Sequence, residues 1–264
     1  MKGIIVLKIG TKNLMIDGRL HQGIFSEIAR QVGIVEKEGK KVVIVSSGAI
    51  QAGTERLIQL NFVAKNLTKK DLAGIGARHL LFRWGLAFIH FNREISQLLV
   101  TYANWQDVNE IKSIRSNIFN CLDNGLIPII NENDPVSDAE IVSMEKGFSE
   151  NDRLARMVAI LLRAERVLFL TDAGGVYEDD PKTNPDAKMY REINPFAFEQ
   201  KSVSEVSETG RGGIAAKVLE AKKCFLNGMK VAIAGMEQDV LIKFSRGEKV
   251  GTTLGKFSKF KESR

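Results

Sequence analysis

Apolar residues along this chain fall into two alternating patterns. Short, mainly apolar runs, over 3–9, 41–45, 126–130, 166–170 and 229–234, alternate with longer stretches in which apolar residues recur every three or four positions. The short runs read as strands buried on both faces, and the spaced pattern reads as amphipathic helix. Ile24, Phe25, Ile28, Ala29, Val32 and Val35 mark a helix over 21–38 that Gly39 stops. A helix starts near Gly48, and others cover 70–92 with Thr68 as N-cap, 111–124 closed by Gly125, 152–162, and 213–226 ending at Asn227-Gly228. A strand is predicted over 97–102, and 251–254 reads as a last edge strand. This alternation predicts an α/β fold, a three-layer αβα sandwich with a mainly parallel central sheet. Residues 1–255 read as one domain, and 256–264 as a basic C-terminal tail. Residues 174–210, rich in Pro, Asn and Asp, are expected to loop over one end of the sheet.

Composition narrows the function classes. The 264 residues are 44% hydrophobic and 27% charged, enough for a sizeable core. The net charge of +6 favours anionic partners, either nucleotide phosphates or nucleic acid. Lys and Arg are scattered outside the tail and no stacking aromatics accompany them, so the excess reads as solvated surface and no nucleic-acid partner is expected. Cys121 and Cys224 have neither disulfide nor zinc spacing and read as buried free thiols. The first apolar run is too short for a signal-peptide core, and no segment approaches a membrane span. A cytoplasmic chain without a membrane partner is expected. His21, His79 and His90 are dispersed, so neither a triad nor a protein-held metal is expected. Met and Phe residues read as core.

Chemistry concentrates where strands end, which is where open α/β sheets bind ligands. Lys8-Ile9-Gly10 closes the first strand; it is either a surface lysine beside a turn glycine or a cation beside a backbone that an anion can approach. Ser46-Ser47-Gly48-Ala49 opens a helix after the second, as a plain N-cap or as N–H groups for a carboxylate or phosphate. Asn131-Glu132-Asn133-Asp134 ends another apolar run and is followed downstream by Glu150-Asn151-Asp152. Thr171-Asp172 ends the fifth strand, ahead of Gly174-Gly175-Val176-Tyr177 and Asp180-Pro181. Gly210-Arg211-Gly212-Gly213 is a Gly-rich segment before a helix that carries Lys217 about one turn in; it is neither a Walker A loop nor a dinucleotide fingerprint.

In this order the motifs resemble the amino acid kinase superfamily, and within it the bacterial branch that phosphorylates free glutamate. The likeness runs over 2–254 and is carried by 43–53 (VIVSSGAIQAG), 127–134 (IPIINEND) and 170–177 (LTDAGGVY). It implies transfer of the γ-phosphoryl group of ATP to the side-chain carboxylate of L-glutamate, the first step toward proline. Lys8 and Lys217 are then expected to neutralise the migrating phosphoryl group, with Asp152 holding both. Ser47, Asp134 and Asn151 grip glutamate, and Gly48 lines its path. Lys8, Gly10, Thr171, Asp172, Gly210, Arg211, Gly212, Gly213 and Lys217 contact ATP. Mg2+ is expected on ATP oxygens and water rather than in a protein cage. The resemblance also implies a homo-oligomer, dimer or tetramer, and a short form without the C-terminal RNA-binding-like domain of many members. Five positions depart from the usual motifs: Ser149-Glu150 stand for Gly-Asp, Ala77 for Gln, Lys12 for a small polar residue and Arg211 for Thr.

Overall fold

The first strand, β1 (Ile4–Ile9), is buried at every position, and its side chains alternate between two cores. Ile5, Leu7 and Ile9 face one core with Phe25, Ile28 and Val32 of α1 (Gln22–Lys37) and Trp84 and Phe88 of α3 (Lys69–Ile89). Ile4 and Val6 face the other, with Ile118 and Leu122 of α4 (Val108–Asp123), Leu154 and Val158 of α5 (Glu150–Leu162) and Ala221 of α6 (Arg211–Leu226). That two-sided burial makes the three layers. The computed structural model describes residues 3–63, 65–137, 150–196 and 211–255; the basic tail, Ser149 and Gly210 fall outside them.

Among the described residues seven more strands join β1: β4 (Lys41–Ser46), β5 (Ile95–Val100), β6 (Ile127–Glu132), β7 (Arg166–Leu170), β8 (Glu192–Ile193), β9 (Lys230–Ala234) and β10 (Thr252–Leu254). The eight-stranded order is β5-β6-β4-β1-β7-β9-β10-β8. Every pairing is parallel except β9 with β10. The chain runs outward from β1 through β4, then returns past β1 to β7 on its other side. The order therefore reverses at β1, the position where such sheets open a ligand crevice.

Several boundaries differ from the sequence reading. The strand expected at 97–102 is Ile95–Val100, and 251–254 does not form the edge, because the two-residue β8 pairs outside β10. The segment 11–20 forms a short 3-10 helix, Thr11–Leu14, then a hairpin of β2 (Met15–Ile16) and β3 (Arg19–Leu20), turning through Asp17-Gly18 at φ 49 and 75. Phe25, Phe88 and Phe169 are core, whereas Phe62, Phe82 and Phe196 are exposed. Helix α3 is apolar on more than one side, so part of its apolar surface faces outward.

Helices α2 (Ala49–Gln59) and α3 touch backbone to backbone. A Cβ on Gly53 would lie 1.9 Å from the Leu72 carbonyl oxygen, and one on Gly76 would lie 1.8 Å from that of Ala49. Helix α3 itself begins with a reciprocal capping box between Thr68 and Asp71, as Thr68 predicted.

Candidate active site

The parallel strands bring their carboxyl ends to one edge. Lys8 lies in register with Val45 of β4 and Phe169 of β7, and Ile9 with Ser46. The residues that follow these strands therefore converge around β1. Period-two alternation puts Lys8 on the face of Ile4 and Val6, beneath α5 and α6.

There it meets Asp152 and Lys217. Lys8 Nζ lies 2.8 Å from Asp152 Oδ1, and Lys217 Nζ lies 2.8 Å from Oδ1 and 3.0 Å from Oδ2. All three are deeply buried, with 3%, 1% and 7% of Lys8, Asp152 and Lys217 exposed. Asp152 stands in the first turn of α5, where the helix dipole favours a carboxylate. Lys217 shares the inner face of α6 with Glu220, Ala221 and Cys224 at helical spacing, and its ammonium sits 5.9 Å from the Phe169 ring centroid. Helix α6 starts at Arg211, so Lys217 is nearly two turns in rather than one. Arg211 to Gly213 thus form helical backbone, not a loop.

The cluster carries two cations against one anion. Burial, then the neighbouring Lys217 charge, push the Lys8 ammonium down to about 8, although Asp152 pulls the other way. For Asp152 burial acts upward, but Lys217 and Lys8 outweigh it and hold the carboxyl below its ordinary range. The triad is left with an excess of one positive charge, which an arriving phosphate would balance.

A cleft of about 420 Å³ opens from this triad toward β7 and α6. Gly10, Thr171, Asp172, Tyr177 and Gly213 line it with the triad. Thr171 is held by its N–H donating to Ala234 O at 2.8 Å. At the mouth Asp172 lies 3.6 Å from Lys12 Nζ and 3.3 Å from Lys182 Nζ. Burial raises its carboxyl, and the two lysines more than reverse that. Lys12, one of the departures from the usual motif, thus faces the cleft.

The remaining predicted residues sit on the other side of β1. Ser47 donates its N–H to Ile9 O at 3.0 Å, and Gly48 caps α2 at φ 118, a conformation that glycine alone adopts without strain. Asp134 is buried just beyond β6, behind Glu132, whose Oε1 accepts from Ser137 at 2.7 Å. Asn151 adjoins Asp152 on α5. Oδ1 of Asn131 and Oδ1 of Asn151 are buried without a hydrogen-bond partner among the described residues. A buried acceptor of that kind invites a donor such as an ammonium group. Lys8 and Asp152 therefore stand between an acidic, amide-rich side over β4 and β6 and an open cleft over β7. Among the described residues no group of three His, Cys, Asp or Glu can hold a metal, and the carboxylate at the centre is already engaged by two ammonium groups. These side chains suit a metal that arrives with its own phosphate ligands.

Sequence reasoning passed over Asn13, buried beside Gly10 and lining the cleft, as well as Lys182 and the 15–20 hairpin. The Asp17-Gly18 pair was the available signal for that hairpin.

Comparison with known proteins follows the same lines. The model of the amino acid kinase family matches residues 3–235. Glutamate 5-kinase of Sodalis glossinidius is 36% identical over 94% of this chain and 67% of that protein. Glutamate 5-kinase of Proteus mirabilis is 37% identical over the same shares. The chain thus spans about two thirds of the length of these relatives. Among solved structures, carbamate kinase from Giardia lamblia bound to AMP-PNP superposes with TM-score 0.66 at 14% identity, covering 96% of this chain and 98% of that one, which shows a shared fold. On the matched residues and on these relatives, the chain belongs to the amino acid kinase family.

Proposed function

We propose that this protein is a glutamate 5-kinase, transferring the γ-phosphoryl group of MgATP to the side-chain carboxylate of L-glutamate to give L-glutamyl 5-phosphate, the entry step of proline biosynthesis. The observation that carries the reading is the buried Lys8–Asp152–Lys217 cluster, set between the two halves of the site in a chain more than a third identical to named glutamate 5-kinases. A glutamate carboxylate is ionised at neutral pH and needs no general base. One of its oxygens forms a bond to the γ-phosphorus while the bond from phosphorus to the ADP oxygen breaks. The barrier is the approach of one anion to another, so catalysis is positioning and charge neutralisation.

Each residue then has a task. Lys8 and Lys217 place positive charge on the migrating group and the leaving ADP. Asp152 keeps both ammonium groups at one point. Thr171, Asp172, Gly10 and the Gly210–Lys217 segment hold the nucleotide, whose bound Mg2+ offsets phosphate charge. Ser47 and the Gly48 turn receive a carboxylate, and Asp134 with Asn151 receives the ammonium group. Acidic and amide neighbours such as Glu132, Asn133 and Asp134 suit an amino acid better than an acceptor phosphate.

The two buried free cysteines fit a reducing cytoplasm, and no described helix is long and apolar enough to cross a membrane. We place the protein there as a homo-oligomer; the exposed Ile58, Phe62, Val63, Phe82 and Ile89 of α2, α3 and their connection are surface that a second copy would cover. The direct test of the activity is ADP release with and without L-glutamate, with hydroxylamine trapping the acyl phosphate. Glutamate-dependent hydroxamate is expected; ADP release indifferent to glutamate, or stimulated instead by carbamate, a nucleoside monophosphate or isopentenyl phosphate, would refute it.

A further inference from the structure

Trp84 lies at the centre of the α1/α3 core, fully buried, with Phe25 edge-on at 4.7 Å and Phe88 stacked at 6.1 Å between ring centroids. Its indole Nε1–H donates to Ser46 Oγ at 3.0 Å. Ser46 is also fully buried, at the end of β4. An indole nitrogen can only donate, so it occupies a lone pair of the serine oxygen. The serine's own proton then goes to the neighbouring acceptor, Ser47 O at 3.1 Å. Ser47 is also held from its other end, through its N–H to Ile9 O.

From this geometry we infer that Trp84 and Ser46 form a positioning relay that aims the Ser47–Gly48 peptide at the acceptor's carboxylate. The inference rests on the glutamate reading above and adds two residues that do not touch substrate. A trans peptide is planar, with C=O and N–H pointing opposite ways. Drawing Ser47 O toward the buried Ser46 hydroxyl turns Gly48 N–H away from the core, toward the open strand end. There it joins the free N–H groups that begin α2, a natural carboxylate receptor. The left-handed Gly48 allows the helix to start directly from that peptide. The anchor is rigid because Trp84 belongs to α3, and α3 is pinned to α2 where Gly53 and Gly76 bring the backbones together. A buried hydroxyl–indole pair adds little net stability over an apolar pair of the same shape. What it adds is direction.

The test separates positioning from packing. Ser46→Ala removes the hydroxyl, Ser46→Thr keeps it, and Trp84→Phe keeps a ring but removes the donor. Ser46→Ala and Trp84→Phe are expected to raise KM for L-glutamate roughly three- to tenfold, the worth of one hydrogen bond, with KM for MgATP nearly unchanged. Ser46→Thr is expected to behave as wild type. The chain has two tryptophans, so a Trp105→Phe background isolates Trp84 emission. That emission is expected to change with L-glutamate, half-saturating near its KM, and to stay unchanged with MgADP alone. Equal effects on both KM values, or constant emission in an enzyme that turns over glutamate, would overturn the relay. The fluorescence arm leaves Ser46 and Trp84 unchanged, so it decides the matter even if Ser46→Ala or Trp84→Phe does not fold. Lack of glutamate turnover in the wild type would instead remove the acceptor assignment on which the relay depends.

Discussion

Lys8 and Lys217 share one oxygen. Each ammonium nitrogen lies 2.8 Å from Oδ1 of Asp152, although the lysines are 209 positions apart in the sequence (217 − 8) and come from a strand and a helix on opposite flanks of the chain. Two like charges tolerate that proximity only because the carboxylate lies between them.

Asp152→Asn keeps the shape and removes the counter-charge. Turnover is expected to fall by about 100-fold or more, the usual cost of losing one preorganised electrostatic element. Lys217→Met is expected to lose turnover while still binding nucleotide. Steady-state kinetics with nucleotide titration checks both, and wild-type kcat in either variant would contradict the roles given to these residues.

The low Lys8 pKa makes a pH prediction with a definite sign. In the free enzyme Lys8 loses its proton near pH 8 instead of an ordinary lysine's 10.5. The fall of kcat/KM for MgATP should therefore begin near pH 8, whereas kcat, measured with phosphates bound beside Lys8, should hold to higher pH. In the ligand-free protein the unfolded chain binds the extra proton between about 8 and 10.5, so the contribution of Lys8 to stability rises across that window and is lost as pH falls back through 8. Denaturation midpoints of wild type and Lys8→Met isolate it. A kcat/KM profile flat to pH 9.5 would argue against the depressed value.

Asp134→Ala is expected to raise KM for L-glutamate far more than KM for MgATP, because Asp134 lies beyond β6 and outside the cleft over β7 that is proposed to take the nucleotide. Comparable increases in both would reject its pairing with the substrate ammonium group.

Gly53→Ala should be costly. Its Cβ would meet the Leu72 carbonyl oxygen at 1.9 Å, so α2 and α3 must separate, at about 3 kcal/mol or more. Gly33→Ala, in α1 with open space around its Cβ, is expected to be neutral or to stabilise by up to about 1 kcal/mol. Urea melts of the two variants compare them directly; similar midpoints would mean that the helices are not in backbone contact.

The layers and most of the sheet were legible because the central strands β1, β4, β6, β7 and β9 are apolar runs buried on both faces. Lys8, Asp152 and Lys217 were legible as a motif order, but not as a geometry. Composition cannot say that Lys8 falls on the α5/α6 face; that follows only once Ile4 and Val6 are seen to pack there. Short elements escaped for want of periodicity. Helix α7 (Val240–Arg246) has fewer than two turns, and Glu192–Ile193 is a strand only through its pairing with Thr253-Leu254, some 60 residues away. The Ser46–Trp84 bond escaped because nothing local pairs a strand-end hydroxyl with an indole from a distant helix. The exposure of Phe82 was missed because α3 is too uniformly apolar for its pattern to show which side is buried.

The two-sided burial of β1 has an evolutionary corollary. Inserting or deleting a single residue between Ile4 and Lys8 would turn the ammonium away from Asp152 and into the aromatic core of Trp84 and Phe88, where it would be buried without a counter-charge. The parity of this short segment is therefore held twice over, by the need to keep a buried cation paired and by the chemistry it serves, so an insertion or deletion there would be removed from a lineage on both counts.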